Sequence, residues 1–431
     1  MLRRQFMLRR QFILSGCAAV GAALLSSTVR VSRMLADDAL PQNTAAASNG
    51  SVRPFTLAIP RARLVDLQDR LARTRWPDKE TVEDSRQGTP LADIRRLAER
   101  WQNGYDWRSC ERFLNSLNQH VTRIDGIDIH FLHVHSKERG ALPLLLTHGW
   151  PGSVLEFRHV IAPLTDPMAH GGKASDAFDV IIPSLPGHGF SGKPTTAGWN
   201  NERIAKAWIV LMERLGHTRW AAQGGDRGAQ ITTRLGYMQP RGLVGIHLNL
   251  VEYMPSEAER ATASPAERKI LADMQYYVDN LSGYSAINSK HPQSIAYGIA
   301  DSPVAQAAWI YQMLQDVSDS GGHPERVFKL DEMIDDIMLY WLPNTGPSSA
   351  RLYWETAQEK PRPVTIEEPM PVPAGVSMFP GEMARISRRW AEPRFANLLH
   401  FNDLPKGGHF AAWEQPAAFV NELRATFRSV R

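Results

Sequence analysis

Asp226 is the residue whose setting says most about chemistry. It lies in the run 223–228 (QGGDRG), after an apolar stretch and ahead of a helix-like one. A sharp turn from a strand into a helix exposes a nucleophile, and in glycine-rich turns of this kind that nucleophile is normally a serine. A serine alkoxide attacks acyl carbons, whereas a carboxylate that attacks a saturated carbon leaves an alkyl ester for water to cleave. The aspartate therefore predicts chemistry on epoxides or alkyl halides.

A second turn, His148–Gly152, follows a buried apolar run about eighty residues earlier. Its glycine and proline backbone could present the amide of Trp150 to a developing oxyanion, and the amide of Arg227, directly after Asp226, would be the second donor. Taken alone, such a turn is as often an ordinary end to a strand. Its pairing with the Asp226 turn favours an oxyanion hole.

A histidine and a carboxylate follow in the order that the α/β-hydrolase fold requires, which is nucleophile, acid, then histidine. His409 lies in a glycine-rich loop between the last predicted strand and a helix. Glu382 ends the preceding strand and could hold the imidazole in one tautomer while stabilising its protonated form. Asp403 is the alternative acid, although it lies on the segment that leads to His409 itself.

Two tyrosines are candidates to protonate a departing oxygen. Opening an epoxide needs an acid, because an alkoxide is a poor leaving group near neutral pH, and a tyrosine of pKa about 10 can supply the proton. Tyr284 and Tyr353 lie near the two ends of a helical region between the predicted strands. By composition alone, each is more often a packing residue, so both interpretations stay open here.

Apolar runs alternate with helix-like stretches through the rest of the chain. Strands are predicted at 127–134, 143–146, 179–182, 220–222, 243–246, 375–379 and 398–401. This alternation indicates an α/β-hydrolase fold with a mostly parallel sheet and flanking helices. The strand pattern is absent between about 251 and 363, which predicts an inserted helical lid over the carboxyl ends of the strands.

The expected organisation has six parts. They are a signal peptide (1–36), a polar linker (37–52), an N-terminal helical extension (53–126), the first part of the core (127–250), the lid (251–363) and the second part of the core (364–431). The extension is inferred from three helical stretches, near 59–75, 91–102 and 107–118.

Charge is concentrated at the N-terminus. Residues 1–36 contain six arginines and no acidic residue, so removing them from the 49 basic residues leaves 43 against 45 acidic ones, a net charge of −2. The remainder has no basic stripe, which argues against nucleic-acid binding. Cys110 has no matching cluster of ligands, which argues against metal binding, and the hydrolysis that the candidate residues predict needs neither a metal nor an organic cofactor.

The run 9–14 (RRQFIL) resembles a twin-arginine export motif, and a small apolar stretch continues to Leu25. The apolar run is shorter than the roughly 20 residues that span a bilayer, which favours a cleaved signal and a periplasmic or secreted protein over an uncleaved membrane anchor. No stable membrane insertion is expected after cleavage.

Cys17 as a lipid anchor is a weaker alternative, and without the signal Cys110 is the sole cysteine. The repeat of 1–6 in 7–12 leaves the start, Met1 or Met7, open.

From about Arg53 to the C-terminus the chain resembles the microsomal-type epoxide hydrolases and their bacterial relatives. The motifs that carry the resemblance are Pro54-Phe55, Leu64 to Leu71, Arg75-Trp76-Pro77, His148–Ser153, Pro183–Ser191 and Ala300–Val304. It implies that 53–126 is that family's N-terminal region, wrapping the fold and packing near the lid. It also implies Asp226 as nucleophile, His409 as base and Glu382 as its acid, with Tyr284 and Tyr353 gripping the oxirane oxygen.

Arg227 departs from the family pattern, which usually has tryptophan after the nucleophile. The backbone amide is unaffected, but a side chain directed inward would hold a positive charge beside Asp226, lower its pKa and favour anionic substrates. An outward or sideways direction is preferred. The sequence thus predicts hydrolysis of a small apolar epoxide to a vicinal diol.

Two other functions remain open. They are hydrolytic haloalkane dehalogenation and passive binding of a small apolar ligand. The natural substrate, the enantiopreference and the oligomeric state, with a homodimer among the options, are not determined by the sequence.

Overall fold

A single nine-stranded sheet organises residues 50–431, the part of the chain that the computed structural model describes. The strand order is β1-β2-β3-β5-β4-β6-β7-β8-β9. The strands are β1 Val52–Pro54, β2 Gln119–Ile124, β3 Ile127–Val134, β4 Leu142–Thr147, β5 Phe178–Pro183, β6 Trp220–Gly224, β7 Leu243–Leu248, β8 Ala374–Met378 and β9 Leu398–Asp403.

The sheet is antiparallel at one edge and parallel elsewhere. The pairs β1–β2, β2–β3 and β3–β5 are antiparallel, and every pair from β5 through β4 to β9 is parallel. Parallel strands are covered on both faces, which explains the continuous apolar run of β4. Because β4, β6, β8 and β9 run in the same direction, their carboxyl ends meet at one edge, where the candidate residues follow them.

Sixteen α-helices connect and cover the strands of residues 50–431. They are α1 Arg61–Ala72, α2 Leu91–Gln102, α3 Trp107–Asn115, α4 Ile161–Thr165, α5 Asn201–Arg214, α6 Asp226–Met238, α7 Glu257–Ala261, α8 Pro265–Tyr276, α9 Gly283–Lys290, α10 Pro292–Asp301, α11 Pro303–Val317, α12 Leu330–Trp341, α13 Gly346–Ala357, α14 Arg388–Ala391, α15 Ala411–Glu414 and α16 Pro416–Phe427. A π-helical turn, Tyr277–Leu281, lies between α8 and α9.

The main core lies between the sheet and helices α5 and α6. Helix α5 buries Ile204, Trp208 and Leu211 at helical spacing, and α6 buries Ile231 and Leu235, all within one hydrophobic cluster with the inner strands. Full burial of side chains of this size contributes roughly 1.5–3 kcal/mol each relative to exposure. This packing fixes the start of α6, which carries Asp226.

The lid occupies the chain between β7 and β8. Helices α7 to α13 fall there, and within residues 50–431 no strand of the sheet interrupts them. Helix α13 packs against α9 and α10. These contacts bring α9 and α13, which carry the two tyrosines, onto the edge where the parallel strands end.

The N-terminal helices pack on the lid, as the family resemblance implied. Trp101 in α2 is fully buried against α12 and donates its indole N–H to Met338 Sδ at 3.3 Å. Asp335 in α12 accepts from the hydroxyl of Tyr105 at 2.7 Å and from Arg158 Nη1 at 2.8 Å. The extension, the lid and the core therefore share one polar network.

The N-terminal predictions lie almost wholly outside the described residues. The signal peptide at 1–36 and most of the linker at 37–52 precede residue 50, while β1 begins at Val52, the last residue assigned to the linker. Within residues 50–431 no helix is long and apolar enough to cross a bilayer.

Candidate active site

The turn that carries Asp226 requires glycine at positions 224 and 228. Strand β6 ends at Gly224 and α6 begins at Asp226, whose φ is +47°, a left-handed conformation that side chains rarely adopt. A Cβ on Gly224 would lie 2.1 Å from the Gly228 carbonyl oxygen, and one on Gly228 would lie 1.9 Å from that of Thr147. The close approach of α6 to β4 thus holds the carboxylate at the sheet edge under backbone strain.

The Trp150 amide already contacts the Asp226 carboxylate, donating to Oδ1 at 2.8 Å. Gly149 makes room for this contact, since a Cβ there would lie 2.3 Å from Oδ1. The Arg227 amide, the other predicted donor, opens α6 but makes no hydrogen bond to that carboxylate among the described residues. The structure therefore brings one of the two predicted amides onto the carboxylate.

His409 and Glu382 form a buried pair beside Asp226. His409 Nδ1 lies 3.1 Å from both Glu382 carboxylate oxygens, and its Nε2 lies 3.6 Å from Asp226 Oδ2. Burial opposes a charged imidazole, but Glu382 and then Asp226 outweigh it and raise the pKa of His409 to about 10. Asp403, the alternative acid, is exposed at the end of β9. The pairing that the sequence favoured is the one the fold makes.

The loop before His409 is held by a carboxylate that sequence reasoning did not identify. Glu414 in α15 accepts from the amides of Gly408 at 2.9 Å and Phe410 at 3.0 Å, and from that of Asp319 in the lid at 2.8 Å. Three amide donors on one buried carboxylate fix the loop backbone and hence the direction of the imidazole.

The rings of Tyr284, Tyr353 and Trp150 contact one another. The ring centroids of the two tyrosines are 5.8 Å apart, and the Trp150 ring lies 5.2 Å from Tyr284 and 5.5 Å from Tyr353. Together with Asp226 the two tyrosines line a chamber of about 270 Å³. Burial raises the pKa of both phenols, so each stays protonated at neutral pH and can donate. The Tyr353 hydroxyl has no hydrogen-bond partner among the described residues.

A third tyrosine, Tyr277, belongs to the same group. It lies in the π-helical turn, lines the chamber, and its hydroxyl lies 2.8 Å from that of Tyr284. Burial raises its pKa to about 12. In the sequence, Tyr276 and Tyr277 are simply two adjacent tyrosines. The extra residue of the π-helical turn decides which of the two faces the chamber, and composition gives no clear sign of such a turn.

Glu156 is a second residue that the sequence did not single out. With Asp226 and His409 it lines a small cavity of about 20 Å³, enough for one water molecule. Burial raises the pKa of its carboxyl well above the usual range. Gly152 leaves space for this side chain, because a Cβ there would overlap Glu156 Oε1. The spacing of Gly152 and Glu156, four residues apart, was the only sign of this contact in the sequence.

Arg227 points sideways along the lid. Its guanidinium carbon lies 3.7 Å from the centroid of the Tyr353 ring, and Nη1 donates to Gln230 Oε1 at 2.9 Å. No ion pair within 4.0 Å joins Arg227 to Asp226 in residues 50–431, although Asp226 is among the groups that raise the pKa of Arg227. Arg227 nevertheless lines the chamber.

The fold and these contacts define a class. A strand, a strained turn and a helix present Asp226, a backbone amide contacts its carboxylate, and a histidine oriented by a glutamate lies behind it. This is an α/β-hydrolase with a carboxylate at the nucleophile position and a tyrosine-lined lid.

Comparison with known proteins refines that class. Residues 52–157 match the family model described as epoxide hydrolase N terminus, and residues 143–280 match that of the alpha/beta hydrolase fold. A Stigmatella aurantiaca protein with the provisional name epoxide hydrolase is 52% identical, covering 88% of this chain and 86% of its own. Epoxide hydrolase 1 of Sus scrofa is 33% identical, covering 88% and 89% respectively. The chain belongs to the epoxide hydrolase family.

Solved structures agree with this assignment. The epoxide hydrolase of Aspergillus niger superposes with a TM-score of 0.78 at 29% identity, over 91% of this chain and all of that one. The juvenile hormone epoxide hydrolase of Bombyx mori gives 0.81 at 26% identity, over 91% and 97%. The predicted fold and family are confirmed.

Proposed function

We propose that this enzyme converts an epoxide and water into a vicinal diol through an alkyl ester on Asp226. The observation that carries the proposal is the single chamber of about 270 Å³ in which the Asp226 carboxylate faces Tyr284 and Tyr353. A carboxylate opposite two protonated, buried phenols is arranged to attack one atom of a strained ring and to protonate another.

In the first step the Asp226 oxygen not held by Trp150 attacks one ring carbon. A carbon–oxygen bond forms to the aspartate as the ring carbon–oxygen bond breaks. Tyr284 and Tyr353 donate hydrogen bonds to the leaving oxygen, and one of them transfers its proton. The partnerless hydroxyl of Tyr353 supports this role, since a buried donor without an acceptor costs roughly 1–3 kcal/mol that a substrate oxygen would recover.

In the second step water attacks the carbonyl carbon of the ester. The cavity of about 20 Å³ between Glu156, Asp226 and His409 is the site we assign to that water. His409 accepts its proton, the Trp150 amide stabilises the tetrahedral oxyanion, and collapse releases the diol and restores the carboxylate. The proton taken from water leaves His409 protonated, as it is in the resting enzyme, so one epoxide and one water give one diol.

The charge on Asp226 determines when His409 can act as a base. While the carboxylate is ionised, it and Glu382 hold His409 protonated, in keeping with the raised pKa of about 10. Esterification removes the Asp226 charge and therefore one of the interactions that hold the proton. His409 can then give its proton to the tyrosinate left by ring opening, so it becomes a base only after the ester has formed.

The two alternatives are weaker. Halide release needs donors at the leaving group, and the indole N–H of Trp150 is committed to Ser349 Oγ at 3.2 Å, while Arg227 replaces any indole after the nucleophile. A passive binder has no need of the aligned Asp226, His409 and Glu382. Halide release from haloalkanes without diol formation from epoxides would reverse the ranking. Ligand binding unchanged in Asp226→Asn, with no turnover by the parent, would favour the passive binder.

The ester is tested with His409→Gln, which removes the base of the second step. After mixing with styrene oxide, the variant should gain the mass of one epoxide, with the adduct in the peptide that contains Asp226. The matched control, His409→Gln combined with Asp226→Asn, should gain none. A folded His409→Gln protein without an adduct would contradict the proposal.

We also propose export by the twin-arginine route, on the sequence of residues 9–14 alone. Changing Arg9 and Arg10 to lysine should retain the full-length chain in the cytoplasm of a bacterial host. Periplasmic recovery of that variant at the parent level would count against it. A homodimer, the other open expectation, is tested by light scattering of the purified protein.

A further inference from the structure

A second, polar pocket adjoins the chamber. It has a volume of about 220 Å³ and shares four lining residues with the chamber: Arg227, Gln230, Glu252 and Tyr353. Its other lining residues include Asn201, Arg234, Ser289 and Glu359. The chamber side is mostly aromatic and apolar, so a ligand that fills both spaces has an apolar reactive part and a polar extension.

Arg227 is the charge at the junction. Its guanidinium makes one hydrogen bond in the described structure, from Nη1 to Gln230, and its buried Nε has no acceptor. Within residues 50–431 no carboxylate lies within 4.0 Å of it. Burial opposes its charge, but the neighbouring Tyr353 and Asp226 outweigh this and keep its pKa above the usual value. A cation that is largely removed from water, with unused donors, is a strong site for an anion.

The other charged groups at the pocket leave this cation available. Arg234 is paired with Glu359 at 3.4 Å and donates to the Arg362 carbonyl at 3.1 Å. Burial raises the pKa of Glu252, which favours its neutral form, although Arg234 and Arg227 oppose that shift. Glu252 lines both spaces, and it competes with an incoming anion for Arg227 only when it is ionised.

We infer that Arg227 binds a carboxylate of the substrate, so the preferred substrates are epoxides that bear a carboxylate a few bonds from the ring. The inference rests on the proposed epoxide hydrolysis and names its substrate class. The short separation follows from geometry, because the guanidinium lies against the ring of Tyr353, whose hydroxyl we assign to the oxirane oxygen. A guanidinium and a carboxylate pair through charge-assisted hydrogen bonds, which a neutral group of equal size cannot match.

The test compares two substrates that differ in charge alone. 5,6-Epoxyhexanoate and its primary amide have the same length and nearly the same shape. The ratio of their kcat/KM values is measured in the parent and in each variant, so an effect of a variant on the chemical steps cancels within the ratio. The parent should favour the acid by roughly tenfold, the scale of one charge-assisted contact.

Three variants examine the assignment. Arg227→Met keeps a flexible unbranched side chain, although a shorter one, and removes the charge, and it should reduce the ratio to about one. Glu252→Gln removes a carboxyl that competes for Arg227 when ionised and should leave the ratio at or above that of the parent. Arg241→Gln removes an exposed arginine elsewhere and should leave the ratio unchanged. If Arg227→Met does not fold, Glu252→Gln still tests the idea, because it acts through an intact Arg227.

The outcomes separate this inference from the proposed function. Turnover of 1,2-epoxyhexane to its diol by the parent establishes the function whatever the ratio is. With that turnover present, a parent ratio at or below one, or an equal ratio in Arg227→Met and the parent, overturns the carboxylate site. A ratio lower in Glu252→Gln than in the parent also contradicts it. Absence of turnover of all three epoxides would instead overturn the proposed function.

Discussion

His409 Nδ1 lies 3.1 Å from both oxygens of Glu382, whereas its Nε2 stands 3.6 Å from Asp226 Oδ2. The imidazole is thus tied firmly on one side and only loosely on the side of the nucleophile. A water molecule that attacks the ester must approach through that looser side, where the cavity shared with Glu156 lies. Glu382 therefore orients the base, whereas Asp226 carries the ester that the attacking water must reach.

The first prediction concerns pH. His409 must be neutral to accept a proton, and Glu382 is the largest contribution raising its pKa. The rate of ester hydrolysis should therefore rise with pH, and Glu382→Gln, by lowering the pKa of His409, should move that rise to lower pH while reducing the maximum rate. Single-turnover decay of the ester across pH measures both. A rise that stays in place or moves to higher pH in the variant would be inconsistent with this role.

The second prediction concerns Tyr277. Its hydroxyl contact with Tyr284 should help to hold that phenol as a donor to the substrate, so Tyr277→Phe should slow formation of the ester roughly threefold to tenfold, the value of one hydrogen bond. Hydrolysis of the ester should be unaffected. The control is Tyr276→Phe, an adjacent tyrosine that is 58% exposed. Stopped-flow burst rates measure ester formation in the two variants. Equal slowing of ester formation and ester hydrolysis in Tyr277→Phe would indicate a merely structural role.

The third prediction concerns Glu156. Since burial raises the pKa of its carboxyl, it should act as a neutral hydrogen-bonding group beside the water. Glu156→Gln, which retains such a group, should hydrolyse the ester within about threefold of the parent rate, whereas Glu156→Ala should be slower by roughly tenfold or more. Rapid-quench measurement of ester decay provides the comparison. Equal losses in both variants would mean that an ionised carboxylate is required.

The fourth prediction concerns Gly149. A methyl group there would lie 2.3 Å from Asp226 Oδ1 and must displace the carboxylate from the Trp150 amide. Gly149→Ala should lower kcat/KM roughly 100-fold, the effect of misplacing a reacting group by about 1 Å. Gly298→Ala, in helix α10 with no atom within 4 Å of the added methyl, is the control and should keep its activity. Full activity of Gly149→Ala would show that the close approach is not needed.

The sequence was informative where chemistry depends on order and on backbone shape. The glycines around Asp226, the turn at Trp150 and the histidine loop leave marks because a Cβ or a changed spacing would abolish them. The alternation of strands and helices likewise predicted the parallel sheet. These features are local, or follow from the order of elements along the chain.

Features that depend on side-chain direction across the fold could not be predicted. The contact of Tyr277 with Tyr284 depends on the extra residue in a π-helical turn, and the position of Glu156 depends on the space left by Gly152. For Arg227 the sequence favoured an outward or sideways direction over an inward one, and the position of its guanidinium against the Tyr353 ring is visible only in the fold. The order that puts β5 between β3 and β4 is also a tertiary property.

The most direct test of the account is a single turnover of styrene oxide by an excess of enzyme in ¹⁸O-labelled water. If Asp226 attacks the ring, the first diol takes its new oxygen from the carboxylate and carries no label, while the label enters Asp226 when the ester is hydrolysed. Mass spectrometry of the diol and of the peptide containing Asp226 should show this distribution. Labelled diol in the first turnover, with unlabelled Asp226, would mean that water attacks the epoxide directly and would contradict the ester mechanism.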